Sequence, residues 1–71
     1  MQDNKKNYVT YAILNRQTGF YEEPMSEGKV IIFEDADTAR NFAKSSTTGL
    51  ILIIDKTRQY LLNKEKFEVL K

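Results

Sequence analysis

The chain has 71 residues, of which 41% are hydrophobic and 30% charged. Such a composition fits one small globular domain and excludes a disordered segment or a multidomain protein. Cysteine and histidine are both absent and the net charge is +1, which excludes disulfides, zinc sites and the strong basic excess of a typical nucleic-acid binder.

Residues 1–7 are polar and read as a flexible N-terminal tail, with no apolar stretch that would suggest a leader or anchor. Residues 8–71 are expected to form a single α+β domain. Tyr8–Leu14 is rich in β-branched and aromatic residues and reads as a strand. Val9, Tyr11 and Ile13 make its expected core face. Asn15–Gly19 reads as a turn, and Phe20–Glu23 returns as a short strand. Pro24 confines that strand to an edge or ends it, because proline has no N–H for a ladder. Met25–Gly28 reads as a loop.

Lys29–Glu34 is a third expected strand. Asp35 or Asp37 then offers an N-cap oxygen, and Ala36, Ala39, Phe42 and Ala43 recur at helical spacing. The helix should be short, about 8–10 residues, ended by the poor helix formers Ser45–Gly49. Leu50–Ile54 is an uninterrupted aliphatic run. It reads as the central strand of the sheet, buried on both faces. Asp55–Arg58 has the length of a hairpin connection. Gln59–Asn63 reads as a fifth strand and Lys66–Leu70 as a final one, with a helix over 61–70 as the alternative.

The expected fold is therefore a small, mostly antiparallel sheet of five to six strands with one short helix. Its order is β-β-β-α-β-β, with or without a final β. One helix covers one face. The second face must curl on itself, as in a small barrel, be covered by Tyr8, Tyr60 and Leu61, or meet another chain as in a homodimer.

Charge is unevenly distributed. Residues 21–38 carry Glu22, Glu23, Glu27, Glu34, Asp35 and Asp37 against Lys29, a net of −5. Residues 39–71 carry a net of +4. The acidic window, with Phe20, Tyr21 and Met25 beside it, combines charge for steering with side chains suited to interface hot spots. It is the expected protein-binding edge. The basic alternative is a nucleic-acid surface of Arg58, Tyr60, Lys64 and Lys66, where a ring could stack on a base.

Chemistry has little to work with. Ser26, Ser45 and Ser46 have no histidine to activate them. Gly19, Gly28 and Gly49 are too far apart for a phosphate-cradling loop. Glu34, Asp35 and Asp37 suit helix capping better than a metal or acid–base site. No apolar run approaches the roughly 20 residues of a membrane span. The expectation is a cytoplasmic protein with no catalytic residues, no cofactor, no metal and no membrane partner.

Short length, Lys-, Asn- and Ile-rich usage and the lack of Cys and His together resemble the small phage-encoded proteins that bind and disable a host machine. The strand–helix–strand order is also similar to the small epsilon subunit of Gram-positive RNA polymerase. Either resemblance implies a protein partner in replication or transcription, which the chain would modulate or inhibit without catalysis.

Overall fold

The computed structural model of the chain describes residues 7–70. The expected tail of residues 1–7 therefore lies outside the described residues except for Asn7, which is exposed. The elements are β1 (Val9–Asn15), β2 (Phe20–Glu22), β3 (Met25–Ser26), β4 (Lys29–Phe33), α1 (Ala36–Ser46), β5 (Ile51–Asp55), α2 (Thr57–Leu62), a 3-10 turn (Lys64–Lys66) and β6 (Phe67–Leu70). They form a six-stranded mixed sheet with one main helix, the α+β arrangement expected.

The sheet is organised around β1. Along one edge β1 pairs antiparallel with β5, from Val9 opposite Asp55 to Ile13 opposite Ile51. Its other edge is shared. The C-terminal end, Ile13–Asn15, pairs with β2, while Val9 at the N-terminal end pairs with Phe33 of β4. Between these ends β1 and β4 part. The ribbon of β2 and β3 enters the gap, with Met25 opposite Val30 and the Pro24 carbonyl accepting from Ile31 N at 2.9 Å. Proline fits here because only its carbonyl is needed. Strand β6 lies parallel on the far edge of β4, with Phe33 opposite Leu70.

One face carries the main core. Val9, Tyr11 and Ile13 of β1 meet Ile31, Phe33, Ile51, Ile53 and Leu70 beneath Ala36, Ala39 and Ala43 of α1. Ala39 and Ala43 are fully buried, since a methyl group lets the helix approach the sheet closely. Phe42 sits at the rim, half exposed, with its ring 5.1 Å from that of Phe33. Asp35 starts the helix by accepting from Thr38 N and Thr38 Oγ1, both at 2.8 Å. It ends where Thr47 N donates to the Ala43 carbonyl, within the serine- and threonine-rich stretch.

The second face is covered in part. Thr10, Ala12 and Ile32 are buried on it. Where β1 and β4 part, the Thr10 hydroxyl donates to the Ile31 carbonyl at 2.7 Å, which satisfies a buried polar group. Tyr60 of α2 packs on Tyr8 with ring centroids 4.5 Å apart and meets Phe67 edge-on at 6.2 Å. Lys56 reaches Glu23 at 3.0 Å, both side chains being mostly buried. The expected cover by Tyr8 and Tyr60 is therefore present, whereas Leu61 points to solvent, 60% exposed.

Several sequence readings are corrected. Met25–Gly28 is not all loop, since Met25–Ser26 forms β3, Asp55–Arg58 is not a hairpin connection, since α2 begins at Thr57, and α1 runs for 11 residues because Ser45 and Ser46 continue it. Gln59–Asn63 is not a strand, because residues 57–62 form α2. Asp55 Oδ1 accepts from Thr57 N at 2.9 Å and turns the chain into the helix, and Arg58, Gln59, Leu61 and Leu62 suit a helix. The Leu50–Ile54 run is not the central strand. Strand β5 pairs with β1 alone among the described residues, and Leu52 is 46% exposed. An apolar run reports affinity for a buried place, but strand order decides whether a strand receives one.

Candidate interaction surface

The ribbon of β2 and β3 is held at both ends. At the tip Asn15 shapes the turn, its Oδ1 accepting from Gln17 N at 2.9 Å and Thr18 N at 3.3 Å. Gly19 N closes the turn on the Asn15 carbonyl at 2.7 Å, with Gly19 at a φ of +80° that suits glycine. Asn15 Nδ2 also donates to Glu22 Oε2 at 3.1 Å, which orients that carboxylate. At the other end Glu27 and Gly28 both take positive φ, +54° and +80°, as a tight hairpin between β3 and β4 demands. Glu27 accepts backbone strain that glycine would not.

Alternation divides the ribbon's side chains. Phe20 lies opposite Asn15 and Glu22 opposite Ile13, on the α1 side of the sheet. Tyr21 lies opposite Leu14, on the second face. Phe20 is 72% exposed and Met25 59%, with Tyr21 also in solvent. Three large apolar side chains thus stand out on a fixed ribbon, together with Glu22 and Glu27. Glu23 differs, because its carboxylate is engaged by Lys56.

The acidic window does not form one patch. Glu22, Glu23 and Glu27 belong to the ribbon and its second turn. Glu34, Asp35 and Asp37 follow the opposite end of β4, which spans roughly 15 Å at about 3.3 Å per residue. Asp35 is the cap of α1, and its hydrogen bonds from the Thr38 backbone and side chain hold its carboxyl below the ordinary range. Asp37 pairs with Arg40 at 3.2 Å across one helical turn. Glu34 directly follows β4. Among the described residues no group of three acidic side chains gathers in a way that could hold a metal ion.

The basic alternative collects in one segment, with Arg58 and Tyr60 on α2 and Lys64 and Lys66 in the 3-10 turn. Tyr60, the ring assigned to base stacking, is packed on Tyr8 and carries Lys64 Nζ at 5.8 Å from its centroid. No helix among the described residues is long and apolar enough to cross a membrane.

The second face carries the exposed apolar surface that the sequence leads one to expect; the sequence did not show which side chains stay in solvent there. Leu50 and Leu52 are about half exposed there, and Leu62 of α2 is 80% exposed. Leu52 lies opposite Ala12, and Leu14, which follows on the same face, lies opposite Tyr21. The shortage of covering elements is the sequence signal for it, since a single alanine-rich helix cannot cover two apolar faces. Compared with protein-family models, curated proteins and solved structures, the chain matches none.

Proposed function

We propose that this chain is a non-enzymatic protein–protein interaction module of the cytoplasm. It binds a larger machine, one of replication or transcription, and modulates or inhibits it. The β2–β3 ribbon makes the contact. The observation that carries this reading is the exposure of Phe20, Tyr21 and Met25 on a ribbon pinned to both β1 and β4. A fixed backbone lowers the ordering cost of binding, and aromatic and methionine side chains supply the buried anchor of an interface. Glu22 and Glu27 add negative charge that steers the ribbon to a basic surface. Asp35 and Asp37 are engaged in capping and pairing α1, so the ribbon is the stronger half of the acidic window.

The ribbon is preferred to the basic segment because Tyr60 already spends its ring on Tyr8. The test compares affinity purification from host cytoplasm using the wild-type chain and a Phe20→Ser, Glu22→Lys, Glu27→Lys variant. The variant should keep the wild-type circular dichroism and lose the partner that the wild type retains. An equal yield of the same partner from both would reject the ribbon as the contact. A salt titration against oligonucleotides addresses the alternative, because phosphate contacts weaken steeply with salt.

A further inference from the structure

We propose that two copies of the chain join through their β5 strands, antiparallel about a two-fold axis at Leu52, into one continuous sheet. This inference rests on β5 and is independent of the ribbon.

The first support is the backbone. Leu50 O accepts from Leu14 N and Lys56 N donates to Tyr8 O, so the even-numbered residues of β5 turn their polar groups toward β1. By strand alternation Ile51, Ile53 and Asp55 present N–H and C=O at the opposite edge. Among the described residues no other strand pairs there. The strand is aliphatic up to Asp55 and its register with β1 is unbroken, without the lysines, proline or bulge that usually protect an edge. Helix α1 packs over β1 and, to a lesser extent, over β5 and β4 on one face, and α2 leads away across Tyr8 toward β6, so among the described residues no strand pairs with this edge.

The second support is the match a two-fold axis creates. With the axis at Leu52, Ile51 of one copy faces Ile53 of the other, and the outward N–H and C=O groups meet in pairs. Leu52 meets its own copy and Leu50 meets Ile54, which continues the apolar second face across the junction. Both leucines are about half exposed in the single chain.

The third support is charge. Asp55 is opposite Val9, on the α1 side, at the end of β5. Lys44 is in the last turn of α1, which leads to the start of β5. An antiparallel pairing sets the end of one β5 beside the start of the other. Each Asp55 therefore comes to the Lys44 end of the second copy, twice by symmetry.

The chain has no cysteine, so single-cysteine variants report the geometry directly. Leu52→Cys at the axis places two thiols in a non-hydrogen-bonded pair, where Cα atoms lie about 4.5 Å apart, within disulfide range. Under mild oxidant it should form covalent dimer far faster than Glu65→Cys on the 3-10 turn. The wild-type chain should sediment at twice its monomer mass. Leu52→Lys should weaken dimerisation on the order of tenfold or more while its circular dichroism stays unchanged, because two ammonium groups would oppose each other. Lys44→Glu should weaken it less, in a salt-dependent way. A wild-type chain that remains monomeric at millimolar concentration overturns the proposal. So does a dimer that survives Leu52→Lys, or a Leu52→Cys variant that crosslinks no faster than Glu65→Cys under the same oxidant.

Discussion

Strands β1 and β5 lie side by side for five residues, and both look hydrophobic, yet they have opposite fates. Strand β1 is buried from Val9 to Ala12, whereas no residue of β5 is fully buried and Leu52 and Asp55 are exposed. The less uniformly apolar strand sits at the centre. Thr10 and Ala12 explain why. Both are small and buried, and Thr10 brings a hydroxyl that bonds the Ile31 carbonyl as β4 departs. A central strand must be coverable on both faces, and bulk on the second face works against that. Leu52, paired with Ala12 on the neighbouring strand, is half exposed.

Substitutions can break this contrast, and the largest effect should come from β1. Tyr11 is buried and its ring is 5.9 Å from that of Phe33. Tyr11→Ala should cost about 3–5 kcal/mol by analogy with other large aromatic truncations. That approaches the whole stability of a domain this size, so urea melts should show a largely unfolded population. Thr10→Val keeps the shape and removes the donor to Ile31, at a cost of about 1–2 kcal/mol in the same assay. If Thr10→Val were neutral, the hydroxyl would not be what secures β1 against β4.

The pair of Lys56 with Glu23 ties the end of β5 to the ribbon across the second face. A double-mutant cycle with Lys56→Met and Glu23→Gln should return a coupling of about 1 kcal/mol, above the usual surface pair because both groups are mostly buried. Leu52→Ala, measured at dilutions where the chain is monomeric, should cost less than about 1 kcal/mol, since its side chain is half exposed already. A Leu52→Ala loss as large as that of Tyr11→Ala would mean that β5 is as buried as β1.

The smallest effect is electrostatic. Asp55 accepts from Thr57 N, first by strength, and from the Thr57 side chain, and both lower its carboxyl below the ordinary value, as Thr38 does for Asp35. A lowered folded pKa means that the unfolded chain binds protons first. The stabilisation is therefore complete above the ordinary value of about 3.8 and is lost as pH falls through the lower folded values. Urea midpoints should fall below about pH 4, and Asp35→Asn should flatten that fall.

Much of the fold is written locally. The core face of β1, the cap at Asp35 and the alanine stripe of α1 each follow from residues a few positions apart. The turn at Asn15–Gly19 does too, because one asparagine side chain and one glycine suffice to form it. Residues 59–63 mislead because a short apolar run between polar residues fits a strand and a helix alike, and the Asp55–Thr57 hydrogen bond turns the chain into a helix there. The acidic window is legible as a composition, but not as two groups at opposite ends of β4.

Local pattern and composition suffice for an α+β domain with one short helix, a surplus of apolar sheet surface, and no histidine or cysteine for chemistry. Which strand is central, and hence which aliphatic side chains remain in solvent, emerges only when the chain is packed. Strand order is set by pairings between residues far apart in the chain, such as Val9 with both Phe33 and Asp55. No local pattern encodes such a choice, because it depends on which neighbours can be covered together.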